Sequence, residues 1–314
     1  MRQYVIKRIL GIVPVVLLVG VIGFSLVHVT PGDPAAFFVG DDAGPEEVAR
    51  IRQQLGLDQP VWVQFTRWFG GLLRGDLGVS FYYRQPVWDA FMLALPPTLV
   101  LTGTALFIAV VLAIPIGVLS AIRQNTWMDK VATIFVLTGV SMPNFWLGLL
   151  MILLFAVTLG WLPAQGYVSP AQDAWATFRH VILPAIALGY SAAALIARMT
   201  RSAMLEVLRQ DFVRTARSKG LGERTVLYKH ALTNAFIPVL TVIGLTVASL
   251  LSGSVVVESV FNYPGVGRLV VDSVMRRDYP VIQGSLLLIA LITIVVNLLI
   301  DLLYAVVDPR IQYE

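Results

Sequence analysis

The chain has 314 residues, 57% of them hydrophobic and only 13% charged, with a mean hydropathy of +0.78 and no cysteine. This composition excludes an ordinary soluble domain, and the lack of cysteine excludes disulfides, thiolate metal sites and cysteine nucleophiles. The net charge of +4 does not indicate a nucleic-acid partner, because in so apolar a chain the placement of basic residues between membrane spans carries the information.

Six stretches of the sequence are long and apolar enough to cross a membrane as helices. A crossing takes about 20 apolar residues, since the hydrocarbon core is about 30 Å thick and each helical residue rises about 1.5 Å. The six stretches contain neither Lys nor Arg, and they run over 9–29, 98–121, 131–159, 181–197, 235–257 and 286–307. We therefore predict an all-α integral membrane protein with a six-helix transmembrane bundle.

The first stretch also fits a signal peptide, since Arg2, Lys7 and Arg8 precede an apolar core. Its apolar run is longer than that of an ordinary signal peptide, and residues 30–34 after it form a poor cleavage site. We therefore favour a spanning helix.

Basic residues gather on one side of the predicted bundle. When the N-terminus is placed inside, all four lysines fall on that side, namely Lys7, Lys130, Lys219 and Lys229. The positive-inside rule then predicts that both termini are cytoplasmic. A chain of this type suggests a bacterium, in which the membrane would be the inner one.

The predicted organisation has three parts, which are an N-terminal segment with the first span (1–30), an external loop (31–97) and a core of five spans (98–314). The external loop carries two helical patterns. One begins at Pro45 and ends at Gly56, and the other has an aromatic face made of Trp62, Phe65, Trp68 and Leu72. Such a face packs against the bundle or lies in the membrane interface, and contact with a docking partner is the alternative.

The third stretch is interrupted by a proline. Residues 141–144 read Ser-Met-Pro-Asn, and because proline removes a backbone hydrogen bond we predict a kink or local unwinding there. Broken helices at mid-membrane often line a pathway, although a purely structural kink is the alternative. From their positions along the spans, the candidate pathway residues are Ser141, Asn144, Ser252 and Glu258. Asp301 is an acid within a predicted span. We favour a structural role for it as a hydrogen-bonding group, and an ion or proton site is the alternative.

The loop between the fourth and fifth spans, residues 199–234, is strongly basic. Asp211 fits a helix cap, residues 212–219 have helical length, and Gly220 fits a C-terminal stop. We predict a short helix lying across the cytoplasmic face, suited to transmit force from a soluble partner. A positive-inside loop that contacts anionic lipid is the alternative.

The chain resembles the inner-membrane permease subunits of ATP-binding cassette importers, whose cytoplasmic signature is Glu-Ala-Ala, three residues and Gly. Ala216 and Gly220 match the second Ala and the Gly. Arg214 and Thr215 occupy the first two positions, which is a usual form in the peptide-type branch. Segments typical of that branch occur along the whole chain, at 4–8, 31–35, 55–60, 74–78, 213–217, 219–221, 257–261, 264–268, 277–280 and 308–310. The first and last of them look especially like glutathione-importing members and dipeptide permeases.

The resemblance implies a permease of the type I importer fold that carries small peptides, such as dipeptides, oligopeptides or glutathione. It implies four kinds of partner: a second homologous permease subunit, cytoplasmic ATPase subunits that bind ATP and Mg, an extracytoplasmic substrate-binding protein and membrane lipid. The residues that it implies for coupling to the ATPases are Arg214, Thr215, Ala216, Arg217, Ser218, Lys219, Gly220 and Leu221.

The sequence itself favours a transport subunit over an enzyme, with no cofactor and no metal of its own. A Walker-type phosphate loop needs Gly directly before its Lys, and the four lysines follow Ile6, Asp129, Ser218 and Tyr228. A membrane-embedded enzyme is disfavoured, because the three histidines, His28, His180 and His230, stand alone near span ends. An ion-gradient-driven secondary transporter remains the alternative function, although it would need more intramembrane charge than Asp301 supplies.

Overall fold

The computed structural model describes residues 2–29, 33–39, 44–54 and 56–307. Regular structure in these ranges is helical, apart from an isolated bridge between Val79 and Pro86. The helices are α1 (Arg2–Val29), α2 (Pro34–Val39), α3 (Pro45–Gln54), α4 (Val61–Leu72), α5 (Val87–Ile122), α6 (Trp127–Ser141), α7 (Asn144–Met151), α8 (Ala174–Leu208), α9 (Asp211–Ser218), α10 (Glu223–Thr225), α11 (Thr233–Val260), α12 (Val266–Met275) and α13 (Tyr279–Val307). A π-helical segment, Ile152–Thr158, extends α7, and another, Val226–Leu232, joins α10 to α11. The all-α prediction is confirmed.

Within these ranges, four helical stretches are long and apolar enough to cross a membrane. They are α5, α8, the stretch Glu223–Val260 and the stretch Tyr279–Ile300. A fifth candidate is the pair Trp127–Ser141 and Asn144–Thr158, which is bent by 108°. The predicted interruption at residues 141–144 is therefore confirmed. The apolar part of α1, Pro14–Val29, is shorter than these four, so the count of six crossings stays a prediction.

The described residues form two compact units. The first contains the described residues up to Pro96 together with Gly265–Val295, and the second contains Pro97–Pro264 and residues 296–307.

In the first unit, Asp278 organises the loop that precedes α5. Its buried carboxylate accepts hydrogen bonds from Ser80 Oγ at 2.5 Å and from the backbone N–H groups of Phe81 and Tyr82, each at 3.1 Å. A buried carboxylate needs such donors, because an unpaired charge away from water is costly. A small apolar cluster with Val87, Phe91 and Val281 at its centre packs beside this loop.

The aromatic face of α4 also belongs to the first unit. Phe65 and Trp68 pack on Phe24 of α1, with ring centroids 5.2 and 5.7 Å apart, whereas Trp62 is exposed. Packing therefore accounts for two of the predicted aromatic residues and not for Trp62. Beside these rings lies a cavity of about 560 Å³ whose lining includes the charged side chains of Arg67 and Asp76.

The second unit is built around α8, whose small residues allow close helix contacts. A Cβ atom on Gly189 would lie 2.6 Å from the carbonyl oxygen of Ala105 on α5, and one on Gly139 of α6 would lie 2.6 Å from the Cβ of Ala194. Small residues at such crossings are usual in membrane bundles, because association there depends on close van der Waals packing. The contacts hold α5, α6 and α8 around a common core.

Candidate functional site

The short helix predicted between the fourth and fifth spans is present as α9. The prediction of Asp211 as its cap is wrong, because Gln210 is the residue that flanks the helix and Asp211 lies inside the first turn. A carboxylate in the first turn still interacts favourably with the helix dipole. Gly220 adopts a φ of +78°, a conformation that favours glycine, and the helix ends just before it as predicted.

One narrow face of α9 holds the helix to the second unit. Val213 and Ala216, three residues apart, are buried in the core that also contains Val207 and Val226. The polar side chains predicted for coupling are exposed, namely Arg214, Thr215, Arg217, Ser218 and Lys219. The cation-rich polar residues of α9 and of the turn after it are therefore exposed, in the segment that connects the long apolar helices α8 and α11.

Arg217 makes a bidentate ion pair on this exposed surface. Its Nη2 lies 2.7 Å from Oε1 of Glu223, and its Nε lies 3.2 Å from Oε2. Both side chains are about half exposed, so solvent weakens the pair, and we assign it a role in shaping the turn after α9 more than in stability. The sequence pattern gave no sign of this pairing.

The structure does not bring the four candidate pathway residues together. Ser141 and Asn144 flank the break between α6 and α7. Ser252 is exposed and its hydroxyl donates to the carbonyl of Ala248 on its own helix at 3.2 Å. Glu258 is fully buried and accepts a hydrogen bond of 2.7 Å from Thr98 Oγ1. Asp301 lies in α13, but its side chain falls outside the described residues.

Of the four, Asn144 lines a cavity of about 290 Å³ in the second unit. Four further polar residues on its wall, Ser191, Arg198, Thr246 and Ser249, were not among the predicted pathway residues. Ser191 and Arg198 are seven residues apart on α8, and Leu195 between them lies on the same face. That helical spacing could have indicated from the sequence that these residues line a common cavity. Arg198, however, falls one residue beyond the predicted span and resembles an ordinary loop arginine.

A buried ion pair at one end of the second unit was also missed from the sequence. Asp129, near the start of α6, is 5% exposed and pairs with Arg201 of α8. The two residues are 72 positions apart, so no local pattern connects them. Asp129 was noted only as the residue before Lys130.

Comparisons with known proteins agree with the fold. Residues 113–313 match the family model described as "Binding-protein-dependent transport system inner membrane component", and residues 1–102 match that for the N-terminal part of such components. The chain belongs to this family. The prediction of an ATP-binding cassette importer permease is confirmed, so this inner-membrane component is a multi-pass transport subunit, and ATP hydrolysis takes place on separate subunits.

Full-length relatives of this inner-membrane component include proteins named "Glutathione transport system permease protein GsiC". The one from Salmonella paratyphi A is 47% identical over 314 residues, and the one from Escherichia coli (strain K12) is 46% identical. Each alignment covers 100% of both chains.

Solved structures support the fold. A chain of the MetNI methionine ABC transporter in an inward-facing conformation matches with a TM-score of 0.59 and 21% identity, covering 70% of this component and 97% of that chain. A chain of an amino acid ABC transporter matches with a TM-score of 0.51 and 20% identity, covering 71% and 94%. The importer-permease type of bundle predicted from the sequence is confirmed.

Proposed function

We propose that this permease imports small peptides of the glutathione type across the bacterial inner membrane, with both termini in the cytoplasm. The observation that carries the substrate is the full-length identity of 47% to a protein named as a glutathione transport permease. The orientation rests on the distribution of Lys and Arg, because α9 and its cations belong to the most basic loop. The proposal keeps the three predicted parts of the chain, which are the N-terminal segment with the first span (1–30), the external loop (31–97) and the core of five spans (98–314). The core includes the coupling loop, residues 199–234.

The proposed assembly contains four further components. A second homologous permease completes the pathway, two cytoplasmic ATPase subunits bind ATP and Mg, an extracytoplasmic binding protein delivers the peptide, and lipid surrounds the spans. Exposed side chains of α9 and of the turn that follows it, between Arg214 and Leu221, dock into a groove of an ATPase subunit. Movement of the ATPases then reaches α8 and α11 through α9, because Val213 and Ala216 fasten α9 to the core that these helices share.

The pathway in this proposal passes the break between α6 and α7. A helix interrupted at Pro143 leaves backbone groups that need polar partners, and such places in membrane proteins line cavities. Asn144 is the best supported pathway residue because it lines the adjacent cavity, with Ser141 on the other side of the break. Ser252 and Glu258 are less well supported as pathway residues, since the hydroxyl of Ser252 is hydrogen-bonded to its own helix and Glu258 is buried.

The test is uptake of radiolabelled glutathione into proteoliposomes that contain the whole importer with its binding protein. We expect uptake that requires ATP and continues when ionophores collapse the ion gradients. Uptake that stops with the ionophore and ignores ATP would favour the ion-gradient-driven alternative. If the importer takes up dipeptides with ATP but excludes glutathione, the transport function stands and the proposed substrate is wrong.

A further inference from the structure

The cavity beside the helix break contains polar side chains that have no partner among the described residues. It is lined by apolar side chains together with Asn144, Ser191, Arg198, Thr246 and Ser249. Thr246 and Ser249 donate to carbonyl groups of their own helix, at 2.7 and 3.3 Å. The side chains of Asn144, Ser191 and Arg198 make no hydrogen bond or ion pair to another described residue. Three groups with free donors therefore converge on one space.

Arg198 differs in this respect from Arg201, one turn further along α8. Arg201 is neutralised by the bidentate contact with Asp129, whereas no acidic side chain is found among the described residues that line the cavity. Arg198 also lines a second, smaller cavity of about 170 Å³ beside α5 and α6. An ionisable side chain at the end of a membrane span, facing a cavity without its own counter-ion, is a candidate binding group.

We propose that this cavity receives the C-terminal carboxylate of the peptide during transport, and that Arg198 is the group that binds it. The inference rests on the proposed function, because a carboxylate is the group that dipeptides, longer peptides and glutathione share. A guanidinium binds a carboxylate through two parallel hydrogen bonds, which fixes orientation as well as charge. The hydroxyl of Ser191 and the amide of Asn144 supply further donors from two other positions on the wall.

The size of the cavity agrees with this partial role. Pockets that enclose a whole small ligand are usually about 300 to 1,000 Å³, and this one is about 290 Å³. Its volume is large enough for the carboxylate end of a peptide. Ser191 and Arg198 are separated by about 10 Å along the helix axis, so the polar groups are spread along the side of the cavity that α8 forms.

The test measures equilibrium binding of radiolabelled glutathione to the purified importer complex without its binding protein, so that selection by that partner does not enter. Unlabelled glutathione should compete at about a ten-fold lower concentration than its glycyl ethyl ester, since the ester lacks the carboxylate that Arg198 binds. R198Q should weaken binding of glutathione by about ten-fold or more and abolish the difference between acid and ester. R198K should keep much of the preference for the acid.

R123Q is the matched control, because it removes the same charge from an exposed arginine that lines neither cavity. It should bind glutathione like the wild type. If R198Q does not assemble, the variants S191A and N144A test whether the ligand binds in this cavity. Each should weaken binding of glutathione several-fold without changing the charge of the cavity.

Equal competition by acid and ester, which an anionic lipid on Arg198 would produce, would overturn the inference. So would wild-type binding in R198Q, or no measurable binding by the wild type. ATP-dependent uptake by the wild type in proteoliposomes decides the proposed function separately.

Discussion

Arg201 of α8 donates two hydrogen bonds to Asp129 of α6, with Nε to Oδ1 at 2.8 Å and Nη2 to Oδ2 at 2.9 Å. Asp129 also accepts from Ser120 Oγ at 2.5 Å and from the backbone N–H of Asn125 at 2.9 Å. The carboxylate thus joins the end of α5, the start of α6 and the part of α8 that leads to α9. These bonds form a cross-link between three helices at the end of the unit that carries α9.

Replacing Asp129 by Asn should destabilise this cross-link. The amide cannot accept four hydrogen bonds and leaves the charge of Arg201 unpaired, so we expect a loss of about 3 kcal/mol, at the lower end for broken buried pairs because Arg201 is one-third exposed. Thermal unfolding of the purified complex measures the effect. Glu206→Gln, on the exposed face of the same helix as Arg201, is the control and should leave the unfolding temperature unchanged. Equal unfolding temperatures of D129N and E206Q would show that the cross-link does not contribute to the stability of the protein.

Gly220→Ala should uncouple ATP hydrolysis from uptake. No atom lies within 4 Å of an added Cβ, so the change acts through the φ of +78°, which costs a non-glycine residue about 1 to 2 kcal/mol and shifts the turn after α9. The measurement is the ratio of peptide imported to ATP hydrolysed. Gly222→Ala, at a φ of −58° and also in open space, is the matched control and should keep the wild-type ratio. Identical ratios in G220A and G222A would contradict the proposed role of this turn.

Arg217→Glu should uncouple the importer as well, for one of two separable reasons. The substitution places a second carboxylate beside Glu223, and it also reverses the charge that α9 would present to an ATPase subunit in the proposed assembly. The double exchange R217E with E223R restores the local pair but keeps the reversed charge at position 217. We expect the double variant to remain uncoupled in the same import-to-hydrolysis assay. Recovery in the double variant would mean that Arg217 acts only through Glu223.

Gly189→Ala should prevent close packing of α8 on α5. The new Cβ would lie 2.6 Å from the carbonyl oxygen of Ala105, a backbone atom that cannot move aside alone, and overpacking of this kind typically costs about 1 to 3 kcal/mol. Gly103→Ala, on α5 with nothing within 4 Å of the added atom, should be neutral or stabilising by about 0.5 to 1 kcal/mol. The yield and unfolding temperature of the two purified variants test the difference. A stable G189A protein would mean that the two helices have room to separate.

Local patterns predicted the parts of this fold that depend on nearby residues. The break at Pro143 follows from the missing N–H of proline, and the end of α9 at Gly220 follows from a conformation that glycine adopts readily. Asp211 shows where this reasoning fails, since the same side chain suits a cap and a first turn. The exact start of the helix therefore depends on which residues Val213 and Ala216 meet in the core.

The missed features depend on contacts between distant parts of the chain. Asp129 and Arg201 are far apart in sequence, and only the packing of α6 on α8 brings them together. Arg198 and Arg201 look alike in the sequence, and the position of Asp129 decides which of them is neutralised. Glu258 was placed on the pathway because it is an acid near a span end, but its helix turns it inward to Thr98.

The attachment of α9 through only Val213 and Ala216 has a consequence for how importers of this kind diversify. The inward pair is constrained by the permease, while in the proposed assembly the outward residues would be constrained by the ATPase subunit on which they dock. Substitutions on the outward side could therefore accumulate without disturbing the bundle. Two importers in one cell could then each bind their own ATPase subunits through differences in a few side chains of one short helix.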